Sequence, residues 1–190
     1  MRNAVYDKIS PLEEKLEQFC AQNPEREAAA RRILDFIRST PDCFERSHAA
    51  GHITGSAWLL NPAGDKALMT LHRKLKRWLQ PGGHADGQSD TLAVALREAE
   101  EESGIGGIVA VSDDIFDVDV HLIPARPGEA AHYHYDIRYL LRAPHEQFVV
   151  SAESDALEWW SAVDFAERRE QTDEAVLRMA AIVPGIDRLA

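Results

Sequence analysis

Three glutamates near the middle of the chain are spaced so that a helix would present them together. Glu98, Glu101 and Glu102 are three and four residues apart, and such positions are neighbours on a helix surface. Gly104, of a type that commonly ends helices, follows closely. The trio would therefore lie in the last turn, where the helix dipole disfavours negative charge. Such a placement raises the question of what positive charge balances it.

Spacing alone allows two interpretations of this trio. The first is a solvated acidic helix face, which is the usual role of a charge run. The second is a metal site, in which a divalent cation supplies the missing charge. Oxygen ligands of this kind suit Mg²⁺ or Mn²⁺.

The surrounding segment resembles the Nudix box, whose pattern is G-x5-E-x7-R-E-U-x-E-E-x-G-U with U a bulky aliphatic residue. The residues in register are Gly83, Arg97, Glu98, Glu101, Glu102, Gly104 and Ile105. Two positions depart from the pattern: Ser89 replaces the first glutamate, with Asp90 beside it as a substitute, and Ala99 fills an aliphatic position. The stretches QPGGH at 80–84 and HYHYD at 132–136 resemble a bacterial Nudix subgroup.

The resemblance implies a metal-dependent hydrolase that cleaves a diphosphate linkage in a small nucleoside diphosphate derivative or related metabolite, by attack of water on phosphorus. Mg²⁺ or Mn²⁺ would be the cofactor. It implies four metal ligands: Glu98, Glu101, Glu102 and the carbonyl of Gly83. Glu98, Glu102 and Arg97 would be the catalytic residues, with Arg97 holding the glutamates in place.

The resemblance leaves the general base open. Glu98 is one candidate, either as the base itself or as the group that orients its water. In some Nudix proteins the base comes from a later loop, where Glu146 and Glu153 are candidates here. Each of these could equally be an ordinary surface residue.

Two further segments are candidates for substrate binding. The cluster at 72–77 is the densest positive stretch of an acidic chain, and Arg73, Lys74 and Arg77 could face phosphate. A solvated hairpin is the alternative.

In the second segment, strand alternation puts His132, His134, Asp136 and Arg138 on one face. With His84, this face would form a polar wall of a cleft that binds substrate through His84, His132, His134 and Arg138. An edge strand with a wet face, or a separate histidine metal site, would give the same pattern.

Hydrophobic spacing predicts the elements that position these residues. Apolar residues three or four apart predict helices over 5–20 and 24–39, which form an N-terminal hairpin. From Gly51 onward, β-like runs alternate with turn residues. The predicted strands are 52–60, 66–72, 76–80, 107–111, 115–121, 132–142, 148–151 and 157–160, and the further helices are 90–102, 161–168 and 172–182.

This order predicts an α+β fold, an α/β/α sandwich with a Nudix-like mixed β-sheet between helices. We expect a helical extension over 1–45 and a catalytic domain over 46–190. In helix 90–102, Ser89 is the expected N-cap. Leu92, Ala95, Leu96 and Ala99 would form the face that packs on the sheet.

The composition of the chain limits the classes of molecule that it could bind. The chain has 190 residues, 45% of them hydrophobic, and a formal net charge of −11, so a nucleic acid polymer or an anionic membrane is a poor partner. Two cysteines without a CxxC pattern and the absence of a signal peptide or long apolar run predict a cytoplasmic protein.

Two further hypotheses about function and assembly remain open. The first is a non-catalytic Nudix-fold module that binds or senses a nucleotide, against which the intact glutamate trio argues. The second is that the N-terminal hairpin mediates dimerisation, which is compatible with catalysis and would make the chain a possible homodimer.

Overall fold

The computed structural model of the chain describes residues 4–151 and 154–183. The helices in this part are α1 (Ala4–Gln22), α2 (Glu27–Ser39), α3 (Thr91–Ser103), α4 (Ala162–Glu167) and α5 (Glu174–Ile182). The strands are β1 (Gly51–Leu60), β2 (Lys66–His72), β3 (Arg77–Leu79), β4 (Gly82–His84), β5 (Val109–Ala110), β6 (Asp117–Ile123), β7 (His132–Arg142) and β8 (Ser154–Ser161). Short 3-10 turns occupy Pro24–Arg26 and Arg169–Gln171.

All of these strands belong to one mixed sheet. Its centre is the parallel pair β1 and β7, in register from Gly51 opposite Tyr133 to Leu60 opposite Arg142. On its other side β7 pairs antiparallel with β6 and β5. β2 pairs antiparallel with β8 along its length. β7 is thus a central strand, which excludes the edge-strand interpretation of its polar face.

Residues 77–84, which form two short strands with a bend at Pro81 between them, lie between β2 and β1. Its first part, β3, pairs with β2, and its second part, β4, pairs with β1 at Thr54, Gly55 and Ser56. Because β8 occupies the other edge of β2, β3 and β1 share the remaining edge. The glycine-rich sequence at 82–84 predicts a loop, but its pairing with β1 makes it a strand.

Helices cover both faces of the sheet, which confirms the predicted α+β class and the α/β/α sandwich. On one face, Phe36 of α2 stacks on Tyr135 with 3.9 Å between ring centroids, and Thr91 of α3 hydrogen-bonds the Tyr139 hydroxyl at 2.7 Å. On the other face, α4 and α5 pack around Trp160. The helices α1 and α2 share one hydrophobic core with β1, β7 and α3. The domain boundary at residue 45 stays a prediction.

One predicted strand is wrong. Residues 148–151 belong to no strand, and Val149 and Val150 are exposed. The amide of Val149 donates to the carbonyl of Ser103 at 2.8 Å. The segment therefore packs against the end of α3 instead of the sheet.

Among the helices of residues 4–151 and 154–183, none combines the length and apolar character that a bilayer span requires.

A buried ion cluster joins β6, β7 and α5. Arg138, which is 2% exposed, donates to Asp136 at 2.7 Å and to Asp117 at 3.0 Å. Arg178 of α5 donates to Asp117 at 2.7 Å, and Arg26 lies 3.3 Å from the same carboxylate. Removing one partner from such a cluster leaves an uncompensated buried charge, at about 3–5 kcal/mol. The cluster therefore holds α5 and the N-terminal helices to the same two strands.

Acid should weaken this cluster through Asp119 on β6. Burial opposes ionisation of Asp119, but the hydrogen bond from His121 and the charge of Arg138 outweigh it and lower the pKa of Asp119 to about 2. An unfolded aspartate has a pKa of about 3.9. Asp119 therefore stabilises the fold above about pH 4, and its contribution is lost as pH falls toward its folded pKa.

We expect Asp119→Asn to lower the free energy of unfolding by about 2 kcal/mol at pH 7 and by much less near pH 2. Urea unfolding at several pH values measures the difference, with Asp35→Asn on the exposed side of α2 as the control. A penalty for Asp119→Asn that does not change with pH would contradict this role.

Candidate active site

Helix α3, which carries the glutamate trio, is positioned by its two ends and by a glycine in β1. The Asp90 side chain accepts a hydrogen bond from a first-turn amide at 3.1 Å, so the N-cap is Asp90 and not the predicted Ser89. Gly104 ends the helix with φ of 68°, in the left-handed conformation expected of it. A Cβ added at Gly55 would lie 2.8 Å from the carbonyl of Thr91. Glycine in β1 thus lets α3 approach the sheet closely.

The packed face of α3 is rotated from the predicted one. Ala95 and Ala99 are buried as expected, but Val94 is buried as well, while Leu92 and Leu96 are only partly buried. The glycine in β1 explains the rotation, because the space left by its missing side chain admits Val94.

The glycine pair of β4 lies against two of the three glutamates. A Cβ added at Gly83 would lie 2.4 Å from Oε2 of Glu98, so a side chain there would displace the carboxylate. The amide of Gly82 donates to Oε1 of Glu102 at 2.8 Å. The Glu98 side chain is 14% exposed and that of Glu101 is 62% exposed. The trio thus runs from the β4 backbone out to solvent.

Arg97 links this carboxylate group to β4. Its Nη1 lies 2.9 Å from Glu98 and 3.7 Å from Glu101, and its Nη2 donates to the carbonyl of His84 at 2.9 Å. One guanidinium thus faces two carboxylates and fixes their position.

The predicted metal ligands Gly83, Glu98, Glu101 and Glu102 lie along one junction between β4 and α3. Their oxygen atoms suit a hard divalent cation, and the space at Gly83 lets Glu98 take part.

The loop between β4 and α3 is fastened to the segment that follows α2. Arg46 donates two hydrogen bonds to Asp86, at 2.6 and 2.8 Å. The amide of Gly87 donates to the carbonyl of Phe44 at 3.0 Å. These contacts hold the loop in which Ser89 replaces the box glutamate. Arg46 is not among the residues predicted from the sequence, since a lone arginine in a polar stretch carries no signal of a partner 40 residues away.

Five histidines gather on the sheet face opposite α3. The ring of His52 lies 4.9 Å from that of His84, 5.1 Å from His132 and 4.9 Å from His134, and His121 lies 5.5 Å from His134. The structure therefore brings together the predicted His84, His132 and His134. His52 and His121 were missed, because strand parity shows which side a residue faces but not which strand lies beside it.

His52 is the least satisfied member of this group. It is 3% exposed, and neither ring nitrogen has a hydrogen-bond partner among the described residues. A neutral imidazole carries one N–H, and burying an unpartnered donor costs about 1–3 kcal/mol. Burial, with His84 and His132 nearby, lowers the pKa of His52 to about 4. Burial and the neighbouring His52 lower the pKa of His134 to about 3. Both rings are thus neutral near pH 7.

The other predicted substrate residues lie apart from the histidines. Arg138 has the same parity as His134, but its guanidinium is buried in the ion cluster. Arg73 pairs with Asp155 at 3.2 Å at the β2–β3 turn, where Lys74 and Arg77 are exposed. Between this turn and the glycine pair lie the three residues of β3, Gln80 and a bend at Pro81, a separation of at most about 16 Å.

The two later candidates for the general base differ in what the structure says of them. The side chain of Glu146 accepts a hydrogen bond from Asn61 at 2.7 Å and lies 4.0 Å from the ammonium of Lys66. Glu153 lies outside the described residues. Which glutamate is the base stays a prediction.

Sequence comparison decides the family. The model of the NUDIX domain matches residues 52–180, which include β4, α3 and the histidine-bearing strands. The chain belongs to the Nudix family. Membership confirms the resemblance found in the sequence and the predicted enzyme class, a Nudix-type pyrophosphohydrolase. None of the curated proteins compared with the chain matches it significantly.

Solved Nudix structures share this fold. A NUDIX-family hydrolase from Clostridium perfringens has 24% identity and a TM-score of 0.56, over 73% of this chain and 98% of its own. The dihydroneopterin triphosphate pyrophosphohydrolase of E. coli has 19% identity and a TM-score of 0.51, over 69% and 94%. A Francisella tularensis NMN adenylyltransferase/ADP ribose pyrophosphatase, complexed with AMP and Mn ion, has 14% identity and a TM-score of 0.50, over 82% and 46%.

The close approach of Gly83 to Glu98 can be tested by substitution. We expect Gly83→Ala to weaken Mn²⁺ binding at least tenfold, because the new methyl group would displace the carboxylate. The free energy of unfolding should change by only about 1 kcal/mol, since a flexible side-chain end can move aside. Electron paramagnetic resonance of free Mn²⁺ during titration, together with urea unfolding, gives both quantities.

Gly106→Ala is the matched control, because a Cβ at Gly106 meets nothing within 4 Å. If Gly83→Ala bound Mn²⁺ as tightly as Gly106→Ala, Gly83 would have no role in shaping the metal site.

Proposed function

We propose that this Nudix protein is a metal-dependent hydrolase that cleaves the diphosphate linkage of a small nucleoside diphosphate derivative or related metabolite, by attack of water on phosphorus. The observation that carries the proposal is the junction of β4 and α3. There, the guanidinium of Arg97 contacts Glu98 and Glu101, the Gly82 amide donates to Glu102, and Gly83 leaves room for Glu98.

The proposed ligands of Mg²⁺ or Mn²⁺ are Glu98, Glu101, Glu102 and the Gly83 carbonyl. All are oxygen donors, as these cations prefer. The cation, when bound, supplies positive charge against the diphosphate and makes water more acidic. The Mn ion in the Francisella tularensis structure supports this choice.

The chain's own residues would position the reactants. Arg97 fixes Glu98 and Glu101 relative to β4 through its two nitrogens. Glu98, whose side chain is less exposed than that of Glu101, can hold a water for attack or accept its proton. Little covalent chemistry is needed in phosphoryl transfer, so catalysis depends on this positioning and on charge stabilisation. We propose Glu98, Glu102 and Arg97 as the catalytic residues.

The remainder of the substrate would bind on the other face of β4. We propose His84, His132 and His134 as its wall, since the ring centroids of His84 and His132 each lie 5.2 Å from that of His134. Arg138 would support this wall from inside the ion cluster and not touch substrate. Arg73, Lys74 and Arg77 stay candidates for an outer contact with phosphate. The E. coli neighbour, a pyrophosphohydrolase of a triphosphate, supports a small phosphorylated substrate.

Three further expectations from the sequence remain proposals. The net charge of −11 supports a small metabolite over a nucleic acid polymer. We also propose that the protein acts in the cytoplasm and that a homodimer is its possible assembly. The alternative function is a Nudix-fold module that binds a nucleotide without turnover.

A panel assay separates catalysis from sensing. The full chain is incubated with Mg²⁺ or Mn²⁺ and ADP-ribose, sugar nucleotides, dinucleoside polyphosphates and nucleoside triphosphates, and phosphate is measured after coupling to a phosphatase. We expect turnover of at least one member and its loss when EDTA is added. Binding of a panel member without turnover would support the sensor instead.

Glu101→Gln tests the carboxylates directly, with Glu100→Gln as its matched control on the solvent-exposed side of the same turn. We expect Glu101→Gln to lower kcat/KM at least a hundredfold, because one cation ligand loses its charge, while Glu100→Gln keeps activity within about twofold. Full activity in Glu101→Gln would refute the metal assignment.

A further inference from the structure

We propose that His52, His132 and His134 form a second metal site, which binds a divalent transition metal of the zinc class. This site is distinct from the carboxylate site on α3 and differs from it in ligand chemistry. It does not rest on the proposed hydrolysis, because its evidence is the packing of the histidines themselves. With the metal bound, His132 and His134 would contact substrate only through the ion.

The three side chains already converge. One nitrogen from each ring lies within 4.8 Å of the others, and His52 and His132 are buried. In a tetrahedral zinc site, each ligand nitrogen lies about 2.0–2.1 Å from the metal, so two ligand nitrogens lie about 3.3 Å from each other. The Nε2 atoms of His132 and His134 are 3.3 Å apart. That pair therefore has the spacing of two zinc ligands, and the His52 nitrogen, at no more than 4.8 Å from the others, would need to move by at most about 1.5 Å.

The hydrogen bond of His132 leaves its other ring nitrogen available as a metal ligand. Its Nδ1 lies 3.0 Å from the carbonyl oxygen of Ala130, which can only accept a hydrogen bond. The proton of a neutral ring is therefore on Nδ1, and Nε2 presents its lone pair toward His134. Histidine ligands in metal sites are commonly oriented by a hydrogen bond of this kind.

His52 decides between a metal site and a simple hydrogen-bonded pair. A hydrogen bond from His134 to His132 would satisfy those two rings without any ion. It would leave His52 as it stands, 3% exposed and with no hydrogen-bond partner for either nitrogen among the described residues. A bound cation would give one of its nitrogens a partner in the same place.

Two neighbours could complete the coordination. Oε1 of Glu129 lies 3.8 Å from Nε2 of His132, and its side chain is 53% exposed. The ring of His84 lies 4.9 Å from that of His52. β4 therefore carries Gly83 toward the carboxylates and His84 toward the histidines, so the two metal sites would lie on opposite sides of one strand.

Zinc binding to the full chain tests the site without any substrate. Protein stripped with a chelator is titrated with Zn²⁺ in excess Mg²⁺, which occupies the carboxylate site. We expect one Zn²⁺ per chain, and an intense visible spectrum when Co²⁺ replaces it in a site of low coordination number. The absence of stoichiometric zinc binding would overturn the proposal.

Variants locate the ligands. We expect His134→Ala to weaken Zn²⁺ binding roughly a hundredfold or more. His145→Ala, which removes an exposed histidine outside the cluster, should leave it unchanged, as should Glu101→Gln in the carboxylate site. Zinc affinity that falls in Glu101→Gln and survives in His134→Ala would assign the ion to α3 and overturn the proposal.

X-ray absorption of the zinc-loaded wild type gives a result that does not depend on variant folding. We expect three imidazoles at about 2.0–2.1 Å from zinc, and one or none would contradict the site. Zinc binding without turnover of any phosphate substrate would refute only the proposed function. Turnover without zinc binding would refute only this inference.

Discussion

The arrangement of α3 and β4 is constrained most by the repulsion among three carboxylates at the end of α3. Glu98, Glu101 and Glu102 lie where the helix dipole disfavours anions, and the guanidinium of Arg97 contacts Glu98 and Glu101. The surrounding glycines serve this arrangement. Gly55 lets α3 approach the sheet, and the glycines of β4 bring backbone against the carboxylates. The proposed divalent cation would balance these charges, since it prefers oxygen ligands such as these carboxylates.

The second organising feature is the division of the central strands into two chemically different faces. On the α3 face, Tyr135 and Tyr139 of β7 contribute to the main hydrophobic core. On the opposite face, the ion cluster fixes β6 and β7 to α5 at one end, and histidines gather at the other. So many titratable groups in the interior cost desolvation energy. The ion cluster offsets that cost through pairing, while His52 has no hydrogen bond within residues 4–151 and 154–183. This contrast separates a structural group from a candidate binding site.

The sequence predicts local features well and pairing poorly. The hydrophobic spacing predicted most helices and strands, and the bounds of β2 and β7 match the prediction. The resemblance to the Nudix box predicted that Gly83 and Glu98 belong to one site, whereas helix periodicity predicted only that Glu98, Glu101 and Glu102 lie together. Strand β4 could not be predicted, since three residues rich in glycine form a strand here only through β1. Arg138 shows the same limit: parity predicted its face, but its aspartate partners come from the neighbouring β6 and from its own strand.

The most direct test of the proposed cation is thermal unfolding of the wild type and Glu101→Gln, each with chelator and with saturating Mn²⁺. Without metal, the variant should be at least as stable as the wild type, because it carries one fewer repelling charge. With Mn²⁺ at about 100 times its Kd, the wild type should gain about 2.7 kcal/mol, and the variant much less. An equal gain in both proteins, or none in the wild type, would contradict a cation held by these carboxylates.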